Sequence, residues 1–533
     1  MKREGSLLLG GWLVLAAWLL AMGWQHLASP GLFYDEAIYG GMAKDFLVGH
    51  AHGVHMPGTR TLDLFGRPFP LFVQPYLGAL KCWALIPLFK VVGSTLGALR
   101  AANLLFSASA LLVFMLWTWR LLGLTEALLA GLLLTLDPAY FFLGVLDWGS
   151  LLPSLLCRFG GFFLTLLAWR RQQARWALAA GFVFGLGVFN KIDFGVILLG
   201  TSLAAVCADG QAIGVAFRLR PKVMLSGLLG FLAGAGPVLA LFRVILQAVV
   251  SPNAPHNPGE FAEKWHTLRA MYDGSYFCRL MEAGGHFDRM YLAASPVWTP
   301  FGLVVALAAV ILIVDVRLSP PESPGRRTKL FILLSAGFVT LGALILPGAV
   351  RIHHTTMVYP FPHLLIASAG VAVWNRCWKA FLFHRTARLL VSLMVGLLVV
   401  CSYGAVQETQ RIIRETGGRG WWSAALVKFA GEISTRSDLT ISSLDWGFNE
   451  QLEFLTAGPG LTEPFWQAAL GGRPDLPCDS HHLYLAHPPE DSLSPLGAQF
   501  LETVAREHTN AVIQPWRDGQ GKVVFYSVGF AAP

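Results

Sequence analysis

The sequence from Leu7 to Leu27, "LLLGGWLVLAAWLLAMGWQHL", follows two basic residues and precedes residues 31–40, "GLFYDEAIYG", in which two acids stand side by side. An apolar run of this length is what a helix needs to cross a bilayer. It also exceeds the roughly 7–15 residues of the apolar core of a signal peptide. We therefore predict an uncleaved first membrane helix, with the acid pair immediately beyond it.

The rest of the chain has the same apolar character. Of its 533 residues, 54% are hydrophobic and only 14% are charged, and the mean hydropathy is +0.54. Soluble domains rarely combine such values. The net charge of +8 comes from scattered Lys and Arg, with no dense basic block interleaved with aromatic residues, so we expect no nucleic-acid partner. The composition predicts a polytopic membrane protein, because apolar runs of about 18 or more residues recur along it.

Basic residues predict the orientation. Lys2 and Arg3 place the N-terminus in the cytoplasm, so the acid pair lies outside, in a long loop over residues 29–98. If the amphipathic stretch 75–92 lies in the interface plane, every short, strongly basic loop falls on the cytoplasmic side; if it crosses, all of them fall outside. The first alternative satisfies the positive-inside rule and predicts about 11 membrane helices, with a further outer loop at 249–295.

The C-terminal residues have a different composition. From about residue 408 to 533, polar residues rise and the apolar runs shorten to strand length. Residues 438–446 and 522–530 alternate like strands, and residues 511–525 read as two strands around a Gly-containing turn. Residues 494–508 have helical periodicity after a Ser. We predict an all-α polytopic membrane domain over residues 1–407 and a small α/β extracytoplasmic domain over residues 408–533.

The predicted topology brings ionisable residues to the outer ends of the helices, where burial of charge is costly and indicates a site. These residues are Asp35, Glu36, Asp147, Lys191, Asp193, Arg351, His353 and His354. Each also has a structural alternative. The two Asp residues could cap helices, Asp35 at residues 37–48 and Asp147 near Gly149. Lys191 and Asp193 could pair only with each other, and the two His residues could be ordinary interface residues.

The combination of these residues resembles the GT-C membrane glycosyltransferases, and most closely glycosyltransferase family 39, which includes protein O-mannosyltransferases and lipid A aminoarabinose transferases. In "FYDEAIYGGMAKDFLVG", residues 33–49, the family's acidic loop is matched by Asp35, Glu36 and Tyr39. Asp147 matches the Asp of the second outer loop, and Lys191 the Lys after the fifth helix. The likeness in layout covers nearly all of residues 1–407, but its motifs are short.

One departure from the family pattern concerns a phosphate contact. Members often carry Lys-Pro in the first loop, whereas this chain has Gln74-Pro75. Arg60, Arg67 and Lys81 are the candidates to replace that Lys.

The resemblance implies transfer of a hexosyl or pentosyl group from a polyprenyl-phosphate donor, outside the cytoplasm and, by our prediction, at the bacterial inner membrane. Two features of the sequence itself also favour a lipid-linked donor over a nucleotide sugar. The cytoplasmic loops are short for a nucleotide-sugar domain, and the sequence has no dinucleotide-binding or P-loop motif. We expect Asp35 to act as general base with inversion, and Lys191 and Arg351 to meet the phosphate.

The remaining residues take secondary roles in this prediction. Asp147 orients the acceptor or the sugar, Glu36 shares either role, and Tyr39, His353 and His354 bind the substrate or its phosphate. A divalent cation, Mg²⁺ or Mn²⁺, is considered at the oxygen-rich set of Asp35, Glu36 and Asp147, although no dedicated metal cage is evident.

The acceptor and two other functional classes stay open. A lipid, a glycan or a protein would each serve as acceptor. A lipid or solute transporter or flippase is the main alternative, although the two matched halves typical of transporters are not evident. A non-catalytic assembly subunit is a third class.

Overall fold

The structure is a computed structural model, and it describes residues 2–51, 58–243, 245, 260–292, 295–320, 323–348, 350–376, 381–507 and 510–531. The chain folds into two compact units. The helical unit comprises Met1–Trp24, Asn103–Phe277 and Ser295–Gln407. The mixed unit comprises Gln25–Ala102, Cys278–Ala294 and Glu408–Pro533. The domain limits predicted above, at residues 407 and 408, stay a prediction.

The elements are numbered in chain order. The helices are α1 (Lys2–Trp24), α2 (Tyr34–Val48), α3 (Leu80–Val92), α4 (Leu96–Leu121), α5 (Leu124–Leu136), α6 (Pro138–Leu146), α7 (Leu151–Arg171), α8 (Ala174–Asn190), α9 (Phe194–Leu219), α10 (Pro221–Gly234), α11 (Gly236–Ala240), α12 (Glu260–Tyr272), α13 (Tyr276–Glu282), α14 (Phe287–Met290), α15 (Phe301–Leu318), α16 (Pro324–Ile345), α17 (Ile352–Thr355), α18 (Phe361–Arg376), α19 (Phe381–Thr416), α20 (Ala425–Ile433), α21 (Asn449–Leu455), α22 (Pro464–Ala469) and α23 (Pro495–Glu507). The strands are β1 (Arg60–Leu64), β2 (Arg67–Gln74), β3 (Leu77–Gly78), β4 (Thr440–Ser443), β5 (Gly460–Thr462), β6 (His482–Ala486), β7 (Ala511–Arg517) and β8 (Val523–Phe530).

The helices include enough membrane-length spans for a polytopic protein. In the described part of the chain, eight helices are long and apolar enough to cross a membrane, and the bent pair α5 and α6 makes nine. The apolar helices α8 and α10 are shorter than these spans, so the eleven crossings that the sequence predicts stay a prediction. Helix α3, within the ambiguous stretch 75–92, has only 13 residues and contains Pro87, so it is too short to cross. The chain is an integral membrane protein.

Helices α8 and α10 pack closely because glycines line their contact. A Cβ at Gly181 would overlap the carbonyl oxygen of Gly227, and a Cβ at Gly185 would overlap that of Phe231. Small residues let membrane helices approach to backbone contact. The contacts advance in the same direction along both helices, so the helices are parallel and both begin at the same membrane face.

Asp137 fixes the bend between α5 and α6, which turn by 65°. Its carboxylate caps α6 by accepting backbone N–H bonds from Ala139 (2.9 Å) and Tyr140 (3.0 Å). It also accepts the Tyr359 hydroxyl at 2.8 Å and contacts His363 Nε2 at 3.2 Å. A buried carboxylate needs such partners, and these partners tie α6 to the segment that leads into α18.

Arg158, buried on α7, holds the same segment from another side. Its Nη1 donates to the backbone carbonyl oxygens of Thr356 (3.0 Å), Met357 (3.2 Å) and Tyr359 (2.5 Å). These carbonyls belong to the turn between α17 and α18, in which the Thr356 oxygen also accepts the backbone N–H of Tyr359 at 3.0 Å. The turn that follows His353 and His354 is therefore fixed to α7.

In the mixed unit, the first loop contains a β-hairpin that the sequence analysis missed. Strands β1 and β2 are antiparallel, with Leu64 opposite Arg67. Phe65 and Gly66 form the two-residue turn with φ of 57° and 74°, as a type I′ turn requires. The Gly66 N–H donates to Asp63 Oδ1 at 2.8 Å. Of the predicted outer loop 249–295, the structure describes residues 260–292 and 295, and residues 249–259 and 293–294 lie outside the described part.

The C-terminal residues form a five-stranded sheet in the order β5-β4-β6-β8-β7. Strand β4 is parallel to β5 and β6, and β8 is antiparallel to β6 and β7. Phe429, Trp516 and Phe525 belong to one apolar cluster, and Tyr484 and Phe500 to a second. The predicted small α/β domain is confirmed, with its strands at β4, β7 and β8 and its helix at α23.

Candidate active-site residues

Asp35 lies in the first turn of α2. The helix begins at Tyr34, and its N-cap residue Phe33 is extended and makes no side-chain cap. The alternative in which Asp35 caps a helix that starts at Ala37 is therefore wrong. A carboxylate in the first turn interacts favourably with the helix dipole. Asp35 is half-buried, so part of its surface is open to solvent.

Glu36, its neighbour, is engaged by Arg100. Arg100 Nε donates to Glu36 Oε1 at 2.8 Å, and Nη2 donates to Oε2 at 2.9 Å. Both side chains are at most 1% exposed. Arg100 also donates to the carbonyl oxygens of His26, Pro30 and Gly31. This bidentate pair fixes the approach to α2, so Glu36 is held in a structural role beside Asp35.

The structure separates Tyr39 and the candidate phosphate-binding residues of the first loop by their burial and their contacts. Tyr39 is fully buried, and its ring centroid is 5.4 Å from Lys81 Nζ, within the range of a cation–π contact. Lys81 is itself fully buried. Arg67 donates to the carbonyl oxygens of Phe46 and Leu47 at the end of α2, and Arg60 is exposed on β1.

The C-terminal region of the mixed unit packs directly on α2. The Lys44 ammonium donates to the carbonyl oxygens of Glu453, Phe454 and Thr456 at the end of α21. A Cβ at Gly40 would lie 2.7 Å from the Phe454 ring. At the other end of α2, the Tyr34 ring is 4.7 Å from Trp446. The helix that carries Asp35 is thus held along its length by residues from the C-terminal region.

Acidic side chains of the C-terminal region surround Tyr34, the residue before Asp35. Burial, followed by the charge of Glu450, raises the pKa of Tyr34. Burial and the charge of Glu463 raise the pKa of Glu450 well above its usual value. Burial raises the pKa of Glu463 to about 7. The charge around Tyr34 therefore changes with pH near neutrality, where ordinary carboxyl groups are fully ionised.

In the helical unit, Asp147 closes one helix and supports the start of the next. It ends α6 in the left-handed region, with φ of 43°. Its Oδ1 accepts the backbone N–H of Leu152, near the start of α7, at 2.8 Å. The N-cap residue of α7 is Ser150, and the helix begins at Leu151, so Asp147 supports the start of this helix without being its N-cap residue.

Lys191, Asp193 and His354 form one compact cluster. Lys191 Nζ is 3.2 Å from Asp193 Oδ2 and 3.2 Å from His354 Nδ1. His354 Nδ1 is 2.9 Å from the same Asp193 oxygen. Lys191 and Asp193 do pair, but the alternative in which they pair only with each other is wrong, because His354 contacts both. One carboxylate oxygen thus orients both a cation and an imidazole.

His353 and Arg351 complete the described set. The His353 ring lies 5.3 Å from Trp148 and 4.2 Å from His354. Gly149 makes this contact possible, because it has φ of +72° and a Cβ there would lie 2.8 Å from the His353 ring. Arg351 Nη1 is 2.6 Å from Glu263 Oε1, and both side chains are 30% exposed. The charge of Arg351 is therefore partly neutralised.

A large apolar groove runs through the helical unit between α12, α15, α16 and α18, with a volume of about 890 Å³. Its α12 end carries polar and amphipathic side chains, and the rest is mostly apolar. The α12 end is lined by Trp265, Arg269, Asp273 and Trp298, and the remainder by residues such as Leu303, Ile313, Leu333 and Leu365. The volume falls within the roughly 300–1,000 Å³ of ligand pockets.

The structure gives a metal ion no ligand set in its described part. No group of three or more His, Cys, Asp or Glu side chains is placed there to hold an ion. Glu36, one of the three residues considered for Mg²⁺ or Mn²⁺, has both oxygens on Arg100. Glu36 is therefore unsuited to bind a metal ion.

Comparison with known proteins identifies the fold. No family model and no curated protein matches the sequence. ArnT from Cupriavidus metallidurans bound to undecaprenyl phosphate is similar at 15% identity over 97% of this chain and 98% of that chain, with a TM-score of 0.54. Its apo state gives 13% identity, the same coverage and a TM-score of 0.55. The apo oligosaccharyltransferase of Archaeoglobus fulgidus gives 13%, over 95% of this chain and 69% of that chain, at 0.50.

The chain has the GT-C fold. The fold class predicted from the sequence is confirmed.

Within this GT-C fold, sequence reasoning missed Lys44, Arg100, Asp137 and Arg158, which position the candidate residues. Arg100 and Arg158 interrupt apolar runs, and an ionisable residue within a membrane segment is a signal that could have found them.

Proposed function

We propose that this protein is a membrane glycosyltransferase that moves a sugar from a polyprenyl phosphate to an acceptor on the non-cytoplasmic face. The GT-C fold over nearly the whole chain carries this proposal, because it is similar to a protein that binds undecaprenyl phosphate. The bacterial inner membrane, with the N-terminus in the cytoplasm, is the proposed location. Both the donor and the acceptor meet the enzyme at the membrane surface.

The apolar groove between α12, α15, α16 and α18 supports a lipid-linked donor. Its volume of about 890 Å³ and its mostly apolar lining suit an isoprenoid chain, and burial of apolar surface supplies the affinity. Trp265 and Trp298 are 52% and 59% exposed and mark the depth of the interface, where Trp is enriched. Arg269, beside them, is placed to meet the phosphate of a donor whose tail lies in the groove.

The proposed reaction is an inverting substitution at the anomeric carbon. Asp35 accepts the proton of an acceptor hydroxyl or amine as that oxygen or nitrogen forms its bond to the anomeric carbon. The bond from that carbon to the phosphate oxygen breaks, and polyprenyl phosphate leaves with the electron pair. A positioned base contributes about 10²–10⁴-fold, and Asp35 is suited to the role because Glu36 is locked on Arg100.

The other candidate residues support this step. Lys191, oriented by Asp193 and His354, stabilises the leaving phosphate. Arg351 contributes less, because Glu263 partly neutralises it. Asp147 orients the sugar or the acceptor through a carboxylate fixed on Leu152. His353 shapes the surface beside His354. Tyr39 acts indirectly by holding Lys81.

Complementation in cells tests the proposal. Envelope lipids and glycans are compared by mass spectrometry in cells with the wild-type protein, without it, and with Asp35→Asn. Asp475→Asn, an exposed acid of the mixed unit, is the matched control. We expect one sugar modification to vanish without the protein and with Asp35→Asn, at equal protein levels. Full modification with Asp35→Asn would remove Asp35 from the mechanism, and an unchanged envelope without the protein would contradict the transferase.

A further inference from the structure

A second apolar groove lies in the helical unit, among α7, α8, α9 and α10, and its volume is about 550 Å³. Apolar side chains of all four helices line it, including Phe162, Phe184, Ala205 and Phe231. Its lining is separate from the residues of the candidate active site. An apolar groove on membrane helices faces hydrocarbon, so its natural occupant is an apolar chain.

One end of this groove opens at a basic surface. Gln172 and Val223 line that end, and they lie at the turn between α7 and α8 and at the start of α10. The two turns are neighbours because α8 and α10 are parallel and packed through their glycines. Arg171, Arg175 and Lys222 are exposed at these turns. The mouth of the groove is therefore bordered by cations from two separate turns.

The three cations are not neutralised by acidic side chains in the described part of the chain. The guanidinium groups of Arg171 and Arg175 each lie 5.3 Å from the centroid of the Trp176 ring. Among the described residues, no carboxylate forms an ion pair with either group or with Lys222. Two guanidinium groups beside one indole concentrate positive charge at this end of the groove, and that charge attracts an anion. Trp176 also suits the headgroup level of a bilayer.

We propose that this groove binds an anionic phospholipid, with one acyl chain in the groove and the phosphate held by Arg171, Arg175 and Lys222. These three cations favour an anionic headgroup over a zwitterionic one. The basic turns lie on the predicted cytoplasmic face, whereas the proposed donor is used on the other face, so the occupant is a bilayer phospholipid and not the polyprenyl donor. This site does not depend on the proposed glycosyl transfer.

Native mass spectrometry of the full-length protein in detergent tests the proposal. The probes are phosphatidylglycerol and phosphatidylcholine with the same acyl chains, titrated separately. The wild-type protein is expected to bind one phosphatidylglycerol in preference to phosphatidylcholine. Each of Arg175→Gln and Lys222→Gln should weaken phosphatidylglycerol binding by about fivefold, because a Lys or Arg near an anionic surface contributes about 1 kcal/mol.

Two matched controls separate this site from general attraction to lipid. Arg317→Gln, an exposed cation of α15 away from the groove lining, should leave the preference unchanged. Ala205→Phe fills the groove and should abolish binding of both lipids, whereas Leu203→Phe, on the same helix but outside the lining, should not. If Ala205→Phe does not fold, the charge variants decide.

Three results would overturn the proposal. The first is an unchanged preference for phosphatidylglycerol in the Arg175→Gln and Lys222→Gln double variant. The second is an equal loss of the preference with Arg317→Gln. The third is a competition experiment in which polyprenyl phosphate binds this site more tightly than phosphatidylglycerol does.

Discussion

The buried pair of Glu36 and Arg100 provides a quantitative test of how α2 is held. Glu36→Gln leaves the Arg100 charge buried without its counter-ion, and breaking such a pair costs about 3–5 kcal/mol. Arg100→Gln should cost at least as much, because the carbonyl oxygens of His26, Pro30 and Gly31 also lose their donor. Domains are stable by only about 5–15 kcal/mol, so either change removes a large part of the stability.

The double variant makes this test specific. With both residues replaced by Gln, no uncompensated charge remains, so the loss should be smaller than the sum of the single losses by about 1–3 kcal/mol. Urea unfolding of the purified protein in detergent, followed by tryptophan fluorescence, measures the three free energies. Arg60→Gln, an exposed Arg on β1, is the control. Losses that add within about 0.5 kcal/mol would refute the coupling.

Three further predictions follow from other contacts. Glu463→Gln should make stability less dependent on pH. The folded protein holds this proton up to a pKa of about 7, so stability that is present below the usual carboxyl pKa is lost as pH rises through 7, by up to about 3 kcal/mol. Thermal unfolding at pH 5 and 8 should show the full loss in wild type and in the exposed control Glu502→Gln, and a smaller loss in Glu463→Gln, where only Glu450 with its raised pKa remains; an equal loss in all three would contradict this account. Gly185→Leu should prevent α8 and α10 from packing and reduce the folded yield, measured by gel filtration in detergent; a normal profile would contradict the packing account. Lys191→Met should lower transfer at least tenfold in an assay of donor cleavage, with the exposed Lys428→Met as control, whereas equal activity of the two variants would exclude the proposed phosphate contact.

Much of the fold could be predicted because it depends on local patterns. Apolar runs of bilayer length, basic clusters between them and alternating strands near the C-terminus each leave a signal in adjacent residues. Helix α23 begins at Pro495, directly after the Ser predicted to start it. Helix α3 has only 13 residues, which favours the alternative in which the stretch 75–92 does not cross the membrane; the orientation of the chain stays a prediction.

The candidate site was less predictable because its contacts join distant parts of the chain. Glu36 and Arg100 are 64 positions apart, and Lys44 donates to carbonyl oxygens more than 400 positions away. Spacing in sequence carries no information about such pairs. The hairpin of β1 and β2 was missed because Pro68 and Pro70 within β2 argue against a strand, although both lie in a strand that pairs antiparallel with β1.

Reconstitution tests the central claim most directly. Purified protein in liposomes is given a polyprenyl-phosphate-linked sugar and lipids extracted from envelopes that lack the protein, and released polyprenyl phosphate and glycosylated product are measured by mass spectrometry. We predict release of one polyprenyl phosphate for each sugar transferred with the wild-type protein, and loss of both products with Asp35→Asn. Movement of the intact donor across the bilayer without cleavage would contradict this account and indicate a flippase.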